Sequence, residues 1–151
     1  MTHAYDVPAG LLVSKVAAEL KRRPGIAPPP WAAFVKTGVH RQRSPTQEDW
    51  WYVRTAAVLR KVSLAGPIGS TRLAYQYGGR RDRGSAPYHS RAGSRSIARE
   101  ILQQLERSGL VQPYRGQGRR ISPEGERLLT AAAKELLTDL SKSRPELAKY
   151  L

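Results

Sequence analysis

Trp51, Tyr52, Val53, Ala56, Ala57, Val58, Leu59, Val62 and Leu64 crowd into one short stretch and leave no broad polar face on the helix they predict. A helix that is apolar around most of its circumference must be enclosed by other helices, so this segment predicts the central strut of a mainly α fold. Thr46 is expected to open it, with Glu48 and Asp49 in the first turn opposing the positive end of the dipole, and Gly66-Pro67 follows its end near Leu64. Its one polar stripe is Trp50, Arg54 and Lys61, whose spacing lines the three side chains along one edge. Adjacent helical residues diverge by about 100 degrees, which sends Trp51 to the core. Trp50 is left as either a base or sugar contact or an edge-of-core residue.

The flanking elements follow from their own periodicities. Asp6 can cap a first helix with Pro8 near its start, Leu12, Val16 and Leu20 as its stripe and Leu11 beside them, running to about Arg23 before Pro24-Gly25. Pro28-Pro29-Pro30 stiffens the connection as polyproline, and Trp31, Phe34 and Val35 predict an apolar knot on the core. Lys36 to Pro45 has no periodicity and reads as an exposed basic loop, free to follow a ligand, that carries Lys36, Thr37, Gly38, His40, Arg41 and Arg43.

Beyond Gly66-Pro67, a short helix with Leu73, Ala74 and Tyr77 ends at Gly78-Gly79, where positive φ at a helix end is the simplest expectation. The stretch Arg80 to Arg91 is basic and non-periodic and reads as a loop. A clear helix runs from about Ser94 to Ser108, with Ile97, Ile101, Leu102 and Leu105 inward and Arg95, Arg99, Gln103 and Arg107 outward. Leu110 to Tyr114 and Arg119 to Ser122 flank a Gly116–Gly118 turn as a hairpin. Ser122 and Pro123 then open a last helix with Leu129, Ala132, Leu136 and Leu140 on its buried face, ended by Arg144-Pro145. This order is that of a winged helix. The expected fold is a single helical domain over residues 1–151, built around a central helix and carrying a small β-hairpin wing.

Function is constrained by charge. The 151 residues hold 26 Lys and Arg against 12 Asp and Glu, a formal net charge of +14. Residues 50–99 contain ten basic residues and one acid, whereas residues 123–151 contain five of each. An excess this concentrated is matched by a polyanion, so the expected partner is nucleic acid. With no cysteine, disulfides, thiolate zinc sites and cysteine nucleophiles are excluded. His3, His40 and His89 have no ligand spacing, and the acids sit at helix starts or on helix faces, so no metal, cofactor, catalytic residue or small-molecule substrate is expected. Gly78-Gly79 is not followed by the Lys-Ser or Lys-Thr of a phosphate loop. No apolar run is long enough to span a membrane and Met1 to Asp6 lacks a secretion signal's order, so a cytoplasmic protein, monomeric when free, is expected.

Phe34-Val35-Lys36-Thr37-Gly38, Asp49-Trp50-Trp51-Tyr52 with Arg54 soon after, Tyr77-Gly78-Gly79-Arg80, and Leu102-Gln103-Gln104-Leu105-Glu106 before the wing resemble the small-subunit ribosomal protein nineteen-e family of archaea and eukaryotes. The likeness extends from Asp6-Val7-Pro8 to the last helix in the same order. It implies ribosomal RNA binding in the head of the small subunit, neighbouring ribosomal proteins as partners, and a part in subunit maturation. The RNA-facing positions that the resemblance implies are the Lys36-Thr37-Gly38 loop, the Trp50, Arg54 and Lys61 stripe, Gly79 and Arg80, and Arg95 and Arg99 on the outer helix face. The basic loops and the wing add His40, Arg41, Arg43, Arg81, Arg83, Arg91, Arg119 and Arg120 as expected RNA contacts by their charge. The rival reading is a DNA-binding winged-helix regulator with Arg95, Arg99 and Gln103 in the major groove; a free-standing assembly factor is third.

Overall fold

A computed structural model describes residues 3–144 and 146. Its order is α1 (Ala9–Arg22), a single 3-10 turn (Pro30–Ala33), α2 (Trp50–Ala65), α3 (Ser70–Gln76), β1 (Gly79–Arg83), β2 (Ala86–Arg91), α4 (Arg95–Arg107), β3 (Val111–Pro113), β4 (Arg119–Ile121) and α5 (Pro123–Ser143). It is a mainly α, winged-helix-like architecture with α2 at the centre, touching α1, α4, α5 and β4.

Burial explains that position. Trp51, Thr55, Ala56, Val58, Leu59 and Val62 are buried along α2 and meet Leu12, Val16, Ala17 and Leu20 of α1, Ile97, Ile101, Leu102 and Leu105 of α4, and Leu129, Ala133 and Leu137 of α5 in one apolar cluster. The Thr55 hydroxyl avoids an unpaired state by donating to the Trp51 carbonyl at 2.8 Å. Gln104, the one long polar side chain buried among the described residues, accepts from Trp51 Nε1 at 3.1 Å and donates to the Ala27 carbonyl at 2.8 Å, tying α4, α2 and the loop after α1 together.

Several local expectations are revised. Leu11 is exposed and Ala17 takes the inner position on α1, whose start at Ala9 is preceded by Pro8 with no side-chain cap; Asp6 instead accepts from the His3 amide at 2.6 Å. α2 begins at Trp50, not Thr46, and Asp49 reaches across to Lys21 at 2.9 Å. The apolar knot divides: Trp31 meets Trp51 edge to face at 5.7 Å, but Phe34 is 84% exposed. On α5, Ala133 and Leu137 are buried, while Leu136 and Leu140 are only half-buried. The predicted end at Arg144 holds; Pro145 lies outside the described residues.

The wing is as expected, with Val111 opposite Ile121 and Pro113 opposite Arg119. It also gains a third, single-residue strand: Ile68 and Arg119 exchange both backbone hydrogen bonds at 3.0 Å, fastening the wing to the end of α2. Gly118 is required there, because its φ is +111 and a Cβ would lie 2.5 Å from the Ile68 carbonyl. Ser122 starts α5 as both cap and clamp, accepting from the Gly125 amide at 3.1 Å and donating to the Gly109 carbonyl at 2.6 Å.

The largest revision concerns residues 79–91. The expected loop is an antiparallel ribbon, pairing Gly79 with Arg91, Arg80 with Ser90 and Arg81 with His89, with an irregularity before Arg83 pairs with Ala86. Asp82 accepts from the Gly84 amide at 2.8 Å and shapes its turn. Every residue of both strands is exposed except Gly79 and Ala86, which are half-buried. Nor do Gly78 and Gly79 serve as positive-φ helix ends. They permit close approach: a Cβ on Gly78 would lie 2.5 Å from the Arg91 carbonyl, and one on Gly79 would lie 2.9 Å from the His40 ring.

Candidate nucleic-acid interface

The 36–45 segment is less free than its sequence suggests. Gly38 forms a β-bridge with Gly93, the Ser94 amide donates to the Thr37 carbonyl at 3.0 Å, and the Gly93 amide donates to the Ala74 carbonyl at 2.8 Å. These bonds fix the loop, the base of the β1–β2 ribbon and the start of α4 to one another. Ser94 caps α4 from the same place, accepting from the Ile97 amide at 3.4 Å.

Around this junction most of the predicted contact residues assemble. Lys36, His40 and Arg41 share a shallow groove with Arg81 of β1. Thr37, Arg41 and Arg43 share a second groove with Trp50 and Arg54 of α2. Lys36 borders a third with Arg99 of α4. Arg80, Arg83 and Arg91 are exposed on the ribbon, and Arg95 lies one turn before Arg99 on the same face of α4. Arg80 sits over the Tyr88 ring at 5.6 Å, and Arg83 lies 3.3 Å from His89.

The wing arginines do not join this group. Arg119 Nε donates to Glu106 Oε2 at 2.6 Å, and Arg120 is stacked over Tyr114 at 4.9 Å. Sequence reading also missed Tyr77, grouped with the apolar residues of the short helix. Its ring takes both polar-stripe cations, Arg54 at 4.1 Å and Lys61 at 3.9 Å from the centroid. Burial raises the Tyr77 pKa to about 12, and it lowers those of Arg54 and Lys61, each further depressed by a neighbouring arginine. The signal that was available was spacing: Arg54 and Lys61, two turns apart, leave room for one flat side chain between them. Arg60 was missed too, half-buried with an Nε that has no partner.

The predicted contact cations stand without acid partners, as do Arg72, Arg107, Arg115, Arg120, Arg127 and Lys134 elsewhere among the described residues. Among the described residues, the paired cations are Lys15, Lys21, Arg22, Arg23, Arg119 and Lys142, on α1, its C-terminal edge, the wing and α5. None of Lys36, Arg41, Arg43, Arg54, Lys61, Arg80, Arg81, Arg83, Arg91, Arg95 and Arg99 forms an ion pair with an acid in the described residues. Uncompensated positive charge on a preformed surface is the footprint of a polyanion site.

The match to the family described as Ribosomal protein S19e covers residues 3–139. The small ribosomal subunit protein eS19 of Aeropyrum pernix is 51% identical, with all of both chains aligned. The chain belongs to the S19e family. Its eS19 relative in Thermoplasma acidophilum is 43% identical over the whole of both chains. The eS19B protein of Schizosaccharomyces pombe is 42% identical over 89% of this chain and 94% of its own. In this S19e chain no helix among the described residues is long and apolar enough to cross a membrane, and no group of three or more potential metal ligands is found among them.

His40 of this S19e chain gives a testable pH dependence. Its ring is wedged against Gly38 and Gly79, and its Nδ1 is buried without a partner. Burial first, then Arg41 and Arg54, hold its pKa below the ordinary 6.5. The unfolded chain therefore takes up the proton first, so this site's stability is complete above pH 6.5 and is lost as the pH falls through that value toward the folded pKa. Melting temperature should fall between pH 8 and pH 5 by more in the wild type than in His40→Gln, and equal falls would reject the assignment.

Proposed function

We propose that this chain is a structural component of the small ribosomal subunit, which it joins through rRNA of the head and whose maturation requires it. The observation that carries the reading is the gathering of cations without ion-pair partners among the described residues on the 36–43 loop, the ribbon, the stripe of α2 and the outer face of α4, where Asp82 and Glu100 are the acids lining the grooves. Structured RNA offers phosphates at irregular positions, and a strip drawn from four elements suits that better than one rigid helix does. The names of the S19e relatives support the same assignment. Residues 1–151 act as one domain, monomeric until bound and cytoplasmic within the subunit. Lys36, Thr37, Gly38, His40, Arg41, Arg43, Trp50, Arg54, Lys61, Gly79, Arg80, Arg81, Arg83, Arg91, Arg95 and Arg99 form the RNA side; Arg119 and Arg120 flank it.

The DNA-reading alternative is disfavoured by the ribbon. It enters directly at the N-terminus of α4, the end that a recognition helix presents to base edges. Sedimentation of cell extract through moderate salt decides between the readings. Stable cofractionation with small subunits is expected. Recovery with nuclease-sensitive chromosomal DNA would point to a regulator, and association only with immature particles to an assembly factor.

A further inference from the structure

We infer that the cleft between the 37–47 loop and α2 holds one unstacked ribonucleotide of the bound rRNA, with its base against Trp50 and its phosphate at Arg54. The inference rests on the RNA reading above and adds a discrete site to it. The cleft is about 410 Å³, within the range of small-ligand sites, and combines an apolar wall of Pro45, Trp50 and Val53 with Arg41, Arg43 and Arg54. A bulged or looped nucleotide is the form of RNA that offers a flat base to the indole and a phosphate to the arginine at once, since unpaired bases can be splayed out and stacked on aromatic rings.

Both anchoring side chains are already held in place. Trp50 leans edge-on against Trp51 at 5.3 Å and 79°, and Trp51 is itself buried and hydrogen-bonded to Gln104. Arg54 is fixed over the Tyr77 ring, has no ion-pair partner among the described residues, and is flanked by the cations Arg41 and Lys61. A half-buried guanidinium flanked by other cations favours an anion on its open side, and a phosphate matches its planar fork. Ser44, Thr46 and Gln47 also line the cleft and carry groups able to hydrogen-bond a base edge or a ribose. An acidic protein segment would satisfy the arginines but would leave the indole wall without a matching flat partner.

The test uses the full-length protein bound to intact small-subunit rRNA. Ultraviolet cross-links are mapped by mass spectrometry on the protein and by reverse-transcription stops on the RNA. The expected result is one unpaired nucleotide joined to the peptide containing Trp50, retained in Trp50→Phe and lost in Trp50→Ala, with binding weakened roughly tenfold in the latter. Cross-links confined to other peptides, to paired nucleotides or to a neighbouring protein would overturn the site, as would full affinity in Trp50→Ala. If that variant fails to fold, the wild type and Trp50→Phe decide the question alone. A wild-type protein that does not bind rRNA at all defeats the RNA reading itself, a different failure from rRNA binding with an empty cleft.

Discussion

Replacing Arg80, Arg81 and Arg83 together by alanine will weaken rRNA binding on the order of a hundredfold at low salt and flatten its salt dependence, while the melting curve stays in place. The three side chains are exposed on a ribbon that contributes nothing to the apolar cluster, and none of them pairs with an acid in the described residues. Exposed substitutions of this kind stay within about 0.5 kcal/mol of wild-type stability. Each phosphate contact contributes about one unit to the slope of log K against log salt, so three lost contacts should lower that slope by about two to three. Filter binding at several salt concentrations, with a thermal melt alongside, measures both. Unchanged affinity with an unchanged slope would take the ribbon off the RNA. A collapsed melt would mean that these arginines support the fold, against their exposure.

The opposite dissociation is expected from Trp51→Ala, which strikes the fold and leaves every proposed RNA contact in the sequence. Trp51 is among the largest fully buried side chains, and truncating such an aromatic costs about 3–5 kcal/mol. The loss is compounded because Gln104 would keep its bond to Ala27 but lose the indole N–H that satisfies its oxygen. Against a total stability of about 5–15 kcal/mol, the melting temperature should fall by roughly 10–15 °C. Trp50 would also lose the ring it leans on. Calorimetry on the purified variant checks this, and a shift of only a degree or two would show that α2 is not the strut of the core.

The contrast between these variants shows which parts of the molecule were legible beforehand. α4 and the wing were read correctly, and α2 apart from its start, because burial leaves its mark in the apolar pattern: Ile97, Ile101, Leu102 and Leu105 recur at helical spacing and are all buried. The β1–β2 ribbon left no such record. Both of its faces are open to solvent, so Arg80, Arg81, His89 and Ser90 show no alternation, and a strand without a buried face looks like a loop. The same limit applied to the 36–45 segment, whose restraints are backbone bonds at Thr37, Gly38, Gly93 and Ser94. Such bonds depend on glycines lying close in space and far apart in sequence, so local patterning cannot reveal them. In the site itself the cations were legible by type, whereas the pairing of Arg119 with Glu106 and the clasp of Tyr77 on Arg54 and Lys61 are products of tertiary geometry.

The ribbon has one more property. Among the described residues each of its strands pairs only with the other, so the outer amide and carbonyl groups away from the 36–42 loop have no strand partner. Bare edges of this sort invite a second molecule to extend the sheet, and a chain awaiting its place in a large assembly would be exposed to self-association through them. Arg80, Arg81, Arg83 and Arg91 stand along those edges, so two copies drawing together would bring like charges face to face. On the RNA reading proposed above, the same arginines would also oppose the edge-to-edge pairing of two free copies.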